Sequence, residues 1–208
     1  MADYTYSERD KHVQLVADSD FHERAAIVKG KAWREYRRQW DSAGRFELET
    51  QVPLQVDFEL STFCNYKCPM CPFGVPKSSR PPTFDSVQGW FPSDLIKKVI
   101  DEGVPLGLKA VDFSYYNEPL LRKDLIELVE YAANAGVVDV MFSTNGELLT
   151  AAIADRLLDS GLTRLMVSLY AASAETFKKL RIGGHFETVV GNLEYHPICK
   201  RCAESSVA

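Results

Sequence analysis

From residue 53 onward the chain switches back and forth between two kinds of apolar spacing. Val56-Asp57-Phe58-Glu59-Leu60 sets apolar and acidic side chains at alternate positions, the period of a strand with one buried face. Further short, largely apolar runs predict strands over 110–115, 138–143 and 164–169. Between and after them the spacing is helical, over 93–102, 123–135, 150–160 and 173–180, with Phe186, Val189, Val190 and Leu193 marking one more helix. Gly136 and Gly161 stand where a helix would stop, and Ser93 stands as an N-cap. Strand–helix alternation predicts an α/β fold of parallel strands joined by right-handed crossovers. The units share no repeated motif, so they are successive βα units and not solenoid repeats.

Residues 1–50 carry no strand pattern. A helix is predicted over 25–40, with Trp33, Tyr36 and Trp40 along one face and Lys29, Lys31, Arg34, Arg37 and Arg38 on the other. This reads as a packing helix with a solvated basic face. The alternative is a docking surface for a partner or an anionic substrate.

Residues 61–92 interrupt the βα rhythm. Six of the ten prolines fall there: Pro69, Pro72, Pro76, Pro81, Pro82 and Pro92. Proline lacks the backbone N–H that helices and ladders need, so a loop is predicted, and one this long in a compact domain is usually functional. Parallel α/β sheets place ligand sites at the C-terminal ends of their strands. The first such end leads into Cys64-Asn65-Tyr66-Lys67-Cys68-Pro69-Met70-Cys71, a C-x3-C-x2-C spacing. Three thiolates on a short loop suit a [4Fe–4S] cluster with one iron left open. Structural zinc usually takes four ligands, commonly two C-x2-C pairs. Zinc-structural or incidental cysteines are the alternative.

Composition narrows the class. The chain has 208 residues, 46% apolar and 25% charged, which is globular and excludes wholesale disorder. A net charge of −5 argues against a nucleic-acid partner. No apolar run approaches the roughly 18 residues of a membrane span. The polar N-terminus lacks the pattern of a secretory leader, so a cytoplasmic location is expected. An odd count of five cysteines then points to metal binding or catalysis in a reducing compartment, not to a disulfide framework.

The C-x3-C-x2-C spacing on the loop after a first strand resembles the signature of the radical S-adenosylmethionine (SAM) enzymes. The stretch Tyr116-Asn117-Glu118-Pro119 resembles that family's Gly-Gly-Glu-Pro motif, which holds the SAM amino group. Here Tyr116 and Asn117 stand in place of the glycines, and Asn tolerates unusual backbone angles better than most residues. Thr144-Asn145-Gly146 resembles the triplet found near the SAM ribose and methionine. Ser168 resembles a SAM contact, and Arg181, thirteen residues later, resembles the family's grip on the SAM carboxylate, which a guanidinium matches in shape. Gly183-Gly184-His185-Phe186-Glu187 also resembles the stretch after that arginine; His185 is read as an ordinary polar residue.

The resemblance covers roughly residues 53–194 and implies two cofactors. A [4Fe–4S] cluster would sit on Cys64, Cys68 and Cys71. SAM would be held by Asn117, Glu118, Thr144, Asn145, Ser168 and Arg181. It implies reductive cleavage of SAM to a 5′-deoxyadenosyl radical that abstracts hydrogen, with the electron from a donor such as flavodoxin or ferredoxin. Tyr66 and Phe73 would shield the cluster, and Met70 sits where the family often has an aromatic near adenine. The family core is a partial TIM-type (βα) barrel, usually of six units; four are legible here. The expected organisation is an N-terminal helical extension over 1–50, a core over 51–194 and a short tail over 195–208.

Cys199-x2-Cys202 in that tail resembles the last cysteine pair of the SPASM or twitch extensions, which bind auxiliary [4Fe–4S] clusters. The pair reads as a relic of a longer enzyme, as a metal site completed by His196 or a second protein, or as two unliganded thiols. Peptide or protein maturation is the expected reaction class. Sugar or aminocyclitol radical chemistry is the alternative, and a non-catalytic Fe–S electron-transfer or partner module is the competing class.

Overall fold

The apolar runs pair into one parallel sheet, built in chain order. The structure is a computed structural model and describes residues 21–80 and 89–194. A helix, α1 (Phe21–Gly44), precedes the first strand. Strand β1 (Gln55–Asp57) lies beside β2 (Ala110–Asp112), β2 beside β3 (Asp139–Thr144), and β3 beside β4 (Arg164–Val167). Helix α2 (Ser93–Leu106) links β1 to β2, α3 (Leu125–Asn134) links β2 to β3, and α4 (Ala151–Asp159) links β3 to β4. Helices α5 (Ala174–Leu180) and α6 (Phe186–Leu193) follow β4. Strands that add one after another, all parallel, are the growth order of a βα barrel. The four-strand α/β expectation is borne out.

The strands are shorter than their apolar patterns. The alternation 56–60 predicts a strand to Leu60, yet β1 ends at Asp57, after which only Phe58 N–H still donates to Asp112 O, at 2.7 Å. Beyond Asp112 the chain turns out of the ladder because the Asp112 carboxylate accepts from the Ser114 backbone N–H at 2.9 Å, an Asx-type turn. Strand β4 ends where Leu169 N–H folds back onto Val167 O at 3.0 Å. Ser93 is not the N-cap it resembles. Helix α2 starts at Ser93 with Pro92 at the cap, and the Ser93 hydroxyl instead donates to Asp124 Oδ2 at 2.6 Å.

Side-chain alternation assigns the two faces of the sheet. Val111, Phe113, Val140 and Phe142 pack with Phe58 and Leu60 against Ile96 and Ile100 of α2, Leu125, Leu128 and Val129 of α3, and Leu157 of α4. Each large aliphatic or aromatic side chain removed from water there contributes about 1.5–3 kcal/mol. The opposite face, at Ala110 and Met141, is covered by Trp33 and Tyr36 of α1. So the aromatic stripe of α1 is core. Its basic face is only partly solvated. Lys29 turns inward, donating to Val138 O at 3.1 Å and Thr163 Oγ1 at 2.8 Å, and burial lowers its pKa. Arg37 lies against the rings of Tyr36 and Trp40, while Lys31, Arg34 and Arg38 are exposed. Gly30 breaks the helix with φ 62°, ψ −135°, a conformation closed to other residues.

The proline-rich connection folds into two short 3₁₀ turns, Pro72–Gly74 and Lys77–Ser79. Its ends are closed by Phe91 N–H donating to Leu60 O at 2.7 Å. Pro81 and Pro82 lie outside the described residues. No described helix is long and apolar enough to cross a membrane.

The face of the sheet opposite the α2–α4 core also carries Asp57 and Asp112, which are directly paired in the β1–β2 register. Burial, with the Asp57 charge adding, pushes Asp112 up to about 6 although the Ser114 hydroxyl and N–H bind its charged form. A raised folded-state pKa means that ionisation opposes folding. The penalty is absent only well below about pH 4, where both states are protonated, grows as pH rises past the unfolded value of about 4, and is complete once pH has risen through about 6. Asp112→Asn keeps the acceptor for Ser114 and is expected to stabilise the chain by about 1–2 kcal/mol near neutral pH, allowing for partial exposure, and by almost nothing at about pH 3. Thermal unfolding of both proteins at the two pH values checks this; equal differences would show that the carboxylate is not strained.

Candidate cofactor site

All four strands point their C-terminal ends to one edge, and the chemistry-bearing residues gather there. Glu118 sits at the head of a short 3₁₀ turn after β2 and is 2% exposed. Its Oε1 accepts from Thr144 Oγ1 at 2.7 Å and from Leu120 N–H at 3.1 Å, and its Oε2 accepts from Asn145 N–H at 2.7 Å. Burial raises the pKa of this carboxyl, and the hydrogen bonds and nearby Arg181 oppose that rise. The Thr-Asn-Gly triplet after β3 is therefore folded around Glu118. It is also self-braced: Gly146 N–H donates to Thr144 Oγ1 at 3.1 Å, and Glu147 N–H donates to Asn145 Oδ1 at 3.0 Å.

The cysteine loop joins this assembly from β1. Asn145 Nδ2 donates to Asn65 Oδ1 at 2.7 Å, and Glu118 N–H donates to Phe63 O at 2.9 Å. Cys64, Cys68 and Cys71 are free thiols. Burial raises the pKa of Cys64, and it raises that of Cys68 against the pull of Arg181. Metal uptake on these groups therefore releases protons. Tyr66 and Phe73 are buried, while Met70 is exposed.

Two glycines let the backbone close on that loop. A Cβ at Gly74 would fall 2.1 Å from Cys68 O and 2.7 Å from Lys67 O. One at Gly184 would fall 2.3 Å from Cζ of Tyr66. The turn after α5 is thus pressed on the cysteine loop, and Lys67 N–H donates to Ile182 O at 2.7 Å.

Arg181 begins that turn. Its side chain is 8% exposed and its guanidinium lies over the rings of Tyr66 and Tyr170, at 5.1 and 5.2 Å from their centroids. Its Nε is buried with no hydrogen-bond partner, and its charge favours the ionised forms of nearby Glu118 and Cys68. A buried donor left unpaired is costly, and a carboxylate-bearing ligand such as SAM would satisfy it. Tyr170 holds φ 57°, a conformation uncommon for an aromatic residue, at the end of β4.

Asn117 departs from its expected reason for being there. Its backbone is not left-handed; the only positive-φ residues other than glycine among those described are Phe46 and Tyr170. Its side chain is used instead, with Nδ2 donating to Glu59 Oε1 at 2.8 Å and Oδ1 buried without a partner. Ser168 is half-buried at the end of β4, with its N–H donating to Thr144 O at 2.8 Å. The structure thus brings Glu118, Thr144, Asn145 and Arg181 together around the cysteine loop, with Asn117 and Ser168 at its margin. Cys199, Cys202 and His196 lie outside the described residues. Glu147, Asn65 and Glu59 are missed by motif reading. The one signal for Glu147 is its place directly after Thr-Asn-Gly. His185, read as an ordinary polar residue, pairs with Glu147 through Nδ1 at 2.7 Å.

Residues 58–196 match the Radical SAM superfamily, and the chain belongs to that family. It is 36% identical over 146 residues to an AdoMet-dependent heme synthase of Methanosarcina barkeri, covering 70% of this chain and 39% of that protein. It is 34% identical over 154 residues to mycofactocin maturase MftC of Mycolicibacterium smegmatis, covering 72% and 36%. It is 34% identical over 131 residues to a probable GTP 3′,8-cyclase of Methanococcus maripaludis, covering 63% and 41%. The chain therefore spans about two fifths of the length of these relatives. Among solved structures, the fold is shared with Streptococcus suis SuiB bound to precursor peptide SuiA, at a TM-score of 0.57 and 16% identity, covering 78% of this chain and 34% of that one.

Gly74→Ala tests the packing of the cysteine loop. The clash is with backbone, which cannot rotate away, so the variant is expected to lose about 2–3 kcal/mol of stability and much of its iron loading. Denaturant unfolding and iron analysis after anaerobic reconstitution measure both; wild-type values would show that the loop relaxes freely.

Proposed function

We propose that this chain carries the cofactor-binding core of a radical SAM enzyme, over 51–194, behind an N-terminal helical extension over 1–50. Cys64, Cys68 and Cys71 hold a [4Fe–4S] cluster. When bound, the cluster and SAM supply reductive cleavage of the sulfonium C–S bond and, from it, a 5′-deoxyadenosyl radical for hydrogen abstraction. The observation that carries the reading is Arg181, a buried guanidinium whose Nε has no hydrogen-bond partner, packed on Tyr66 of the cysteine loop. It binds the SAM carboxylate. Glu118 orients Thr144 and the Asn145 backbone and receives the SAM amino group, with Asn117 beside it and Ser168 at the next strand end. Tyr66 and Phe73 keep water from the cysteine loop. The free thiols suit a reducing compartment such as the cytoplasm, where flavodoxin or ferredoxin supplies the electron.

The substrate we favour is a peptide. Support comes from likeness to a mycofactocin maturase and from the fold shared with a structure holding a precursor peptide. An exposed rim of Phe63, Trp90, Tyr115, Tyr116 and Tyr170 at the strand ends supplies flat aromatic contact area for such a chain. Cys199 and Cys202 are assigned to an auxiliary cluster shared with further ligands.

Anaerobic iron–sulfide reconstitution, followed by dithionite and SAM, tests the core of this reading. The wild-type protein is expected to turn brown and to release 5′-deoxyadenosine. Cys68→Ala is expected to abolish both, and Arg181→Ala to weaken SAM binding at least tenfold while keeping the iron, the scale for losing a charge-assisted bidentate contact. A colourless protein that takes up zinc would overturn it.

A further inference from the structure

Glu147 is absorbed by none of the roles above, yet it is where three separate segments meet. Its Oε2 accepts from Tyr66 Oη at 2.6 Å and from His185 N–H at 3.0 Å, and its Oε1 lies 2.7 Å from His185 Nδ1. Tyr66 belongs to the cysteine loop, Glu147 follows the triplet that wraps Glu118, and His185 closes the turn that begins at Arg181. The backbone that carries it is also held: Asn192 of α6 donates through Nδ2 to the Gly146 carbonyl at 2.9 Å and to the Glu147 carbonyl at 3.2 Å. Burial would push the Glu147 pKa up, but the Tyr66 and His185 hydrogen bonds outweigh it and the net direction is down, so the charged form is the bound form.

The contacts around it are geometrically strict. Gly184 lies flat on the Tyr66 ring, Gly184 N–H donates to Arg181 O at 3.0 Å, and the Arg181 guanidinium lies over that same ring. Moving Tyr66 therefore moves both the cysteine backbone and the seat of Arg181. Glu147 is the only charged group bonded to the Tyr66 hydroxyl among the described residues.

We propose that Glu147 is a positioning residue that latches the cysteine loop to the Arg181 turn, so that order in one segment is transmitted to the other. The proposal rests on the cofactor assignment above for its consequence: cluster assembly on the loop preforms the carboxylate site, and SAM binding in turn steadies the loop. Such coupling is reciprocal by necessity, with each ligand changing the other's affinity by the same factor. Glu147 touches neither ligand in this account. It acts through Tyr66 and His185 on Arg181.

Two measurements test it, and they fail separately. The first needs no cofactor. Lys67 N–H donates to Ile182 O, not to Glu147, so its protection reports the joint between the two segments. In Glu147→Ala the Lys67 amide is expected to exchange about tenfold faster, the scale of one lost charge-assisted hydrogen bond. Tyr66→Phe, which keeps the ring under Gly184 and Arg181, is expected to do the same, and Glu147→Gln, which keeps an acceptor, to restore part of the protection. Unchanged Lys67 exchange in both Glu147→Ala and Tyr66→Phe overturns the latch.

The second measurement uses the cluster-loaded protein. SAM dissociation constants are compared for Glu147→Ala, Arg181→Ala and the double variant, together with iron content and the spectral change of the reduced cluster on SAM addition. Glu147→Ala is expected to weaken SAM about tenfold at unchanged iron content, and to cost less than about twofold once Arg181 is already gone. Equal costs in both backgrounds would show that Glu147 does not act through Arg181 and would overturn the proposal. If the loaded wild-type protein bound no SAM, the cofactor assignment would fall, and the exchange data would still decide the latch.

Discussion

A carboxylate that is buried must be fully bonded, and Glu118 turns that requirement into architecture. With 2% of its surface exposed, it cannot draw on water. It is satisfied only if the chain after β2 and the chain after β3 stand at fixed separation, with the Thr144 hydroxyl and the Asn145 N–H both reaching it. The price of its burial is thereby converted into a rigid ledge between two strand ends. The parallel sheet makes this possible, because it delivers every such end to the same edge.

Among its described residues the proline-rich connection that carries the cysteines has no regular structure beyond two short 3₁₀ turns, and it is shaped from outside. Asn145 holds it at Asn65, Phe63 O receives the Glu118 N–H, and the turn after α5 presses on Tyr66. Contacts from β2, β3 and the end of α5 therefore do for a flexible, proline-rich segment what a ladder does for a strand. The same turn carries Arg181, whose Nε is buried and bonded to no group of the described chain.

Periodicity gave away the strands, the helices and their order, because a parallel sheet buried on one side against helices imposes strong apolar patterns. It overran the strand ends, since an apolar side chain such as Leu60 or Phe113 can serve the core after the ladder has stopped. Motif spacing pointed to the thiols, Glu118, Thr144, Asn145 and Arg181, all of which sit together. It was silent on Glu147, Asn65 and Glu59, whose partners are distant in sequence; Tyr66 and Glu147 are 81 positions apart. A hydrogen bond of that range leaves no local trace. Lys29 misled for a related reason: a basic stripe marks one face of a helix, but not which of its members finds a carbonyl to bond.

The span of those joints bears on how the molecule is made. During synthesis the cysteines emerge first, then the ledge at Glu118 and Asn145, and last the turn that carries Gly184 and His185. Until that last turn is out, Tyr66 has no ring-facing glycine and Lys67 has no carbonyl to bond, so the thiol loop remains open on one side. Local βα pairs can form as they appear. The thiols are thus the part of the site that waits longest for its last structural contacts.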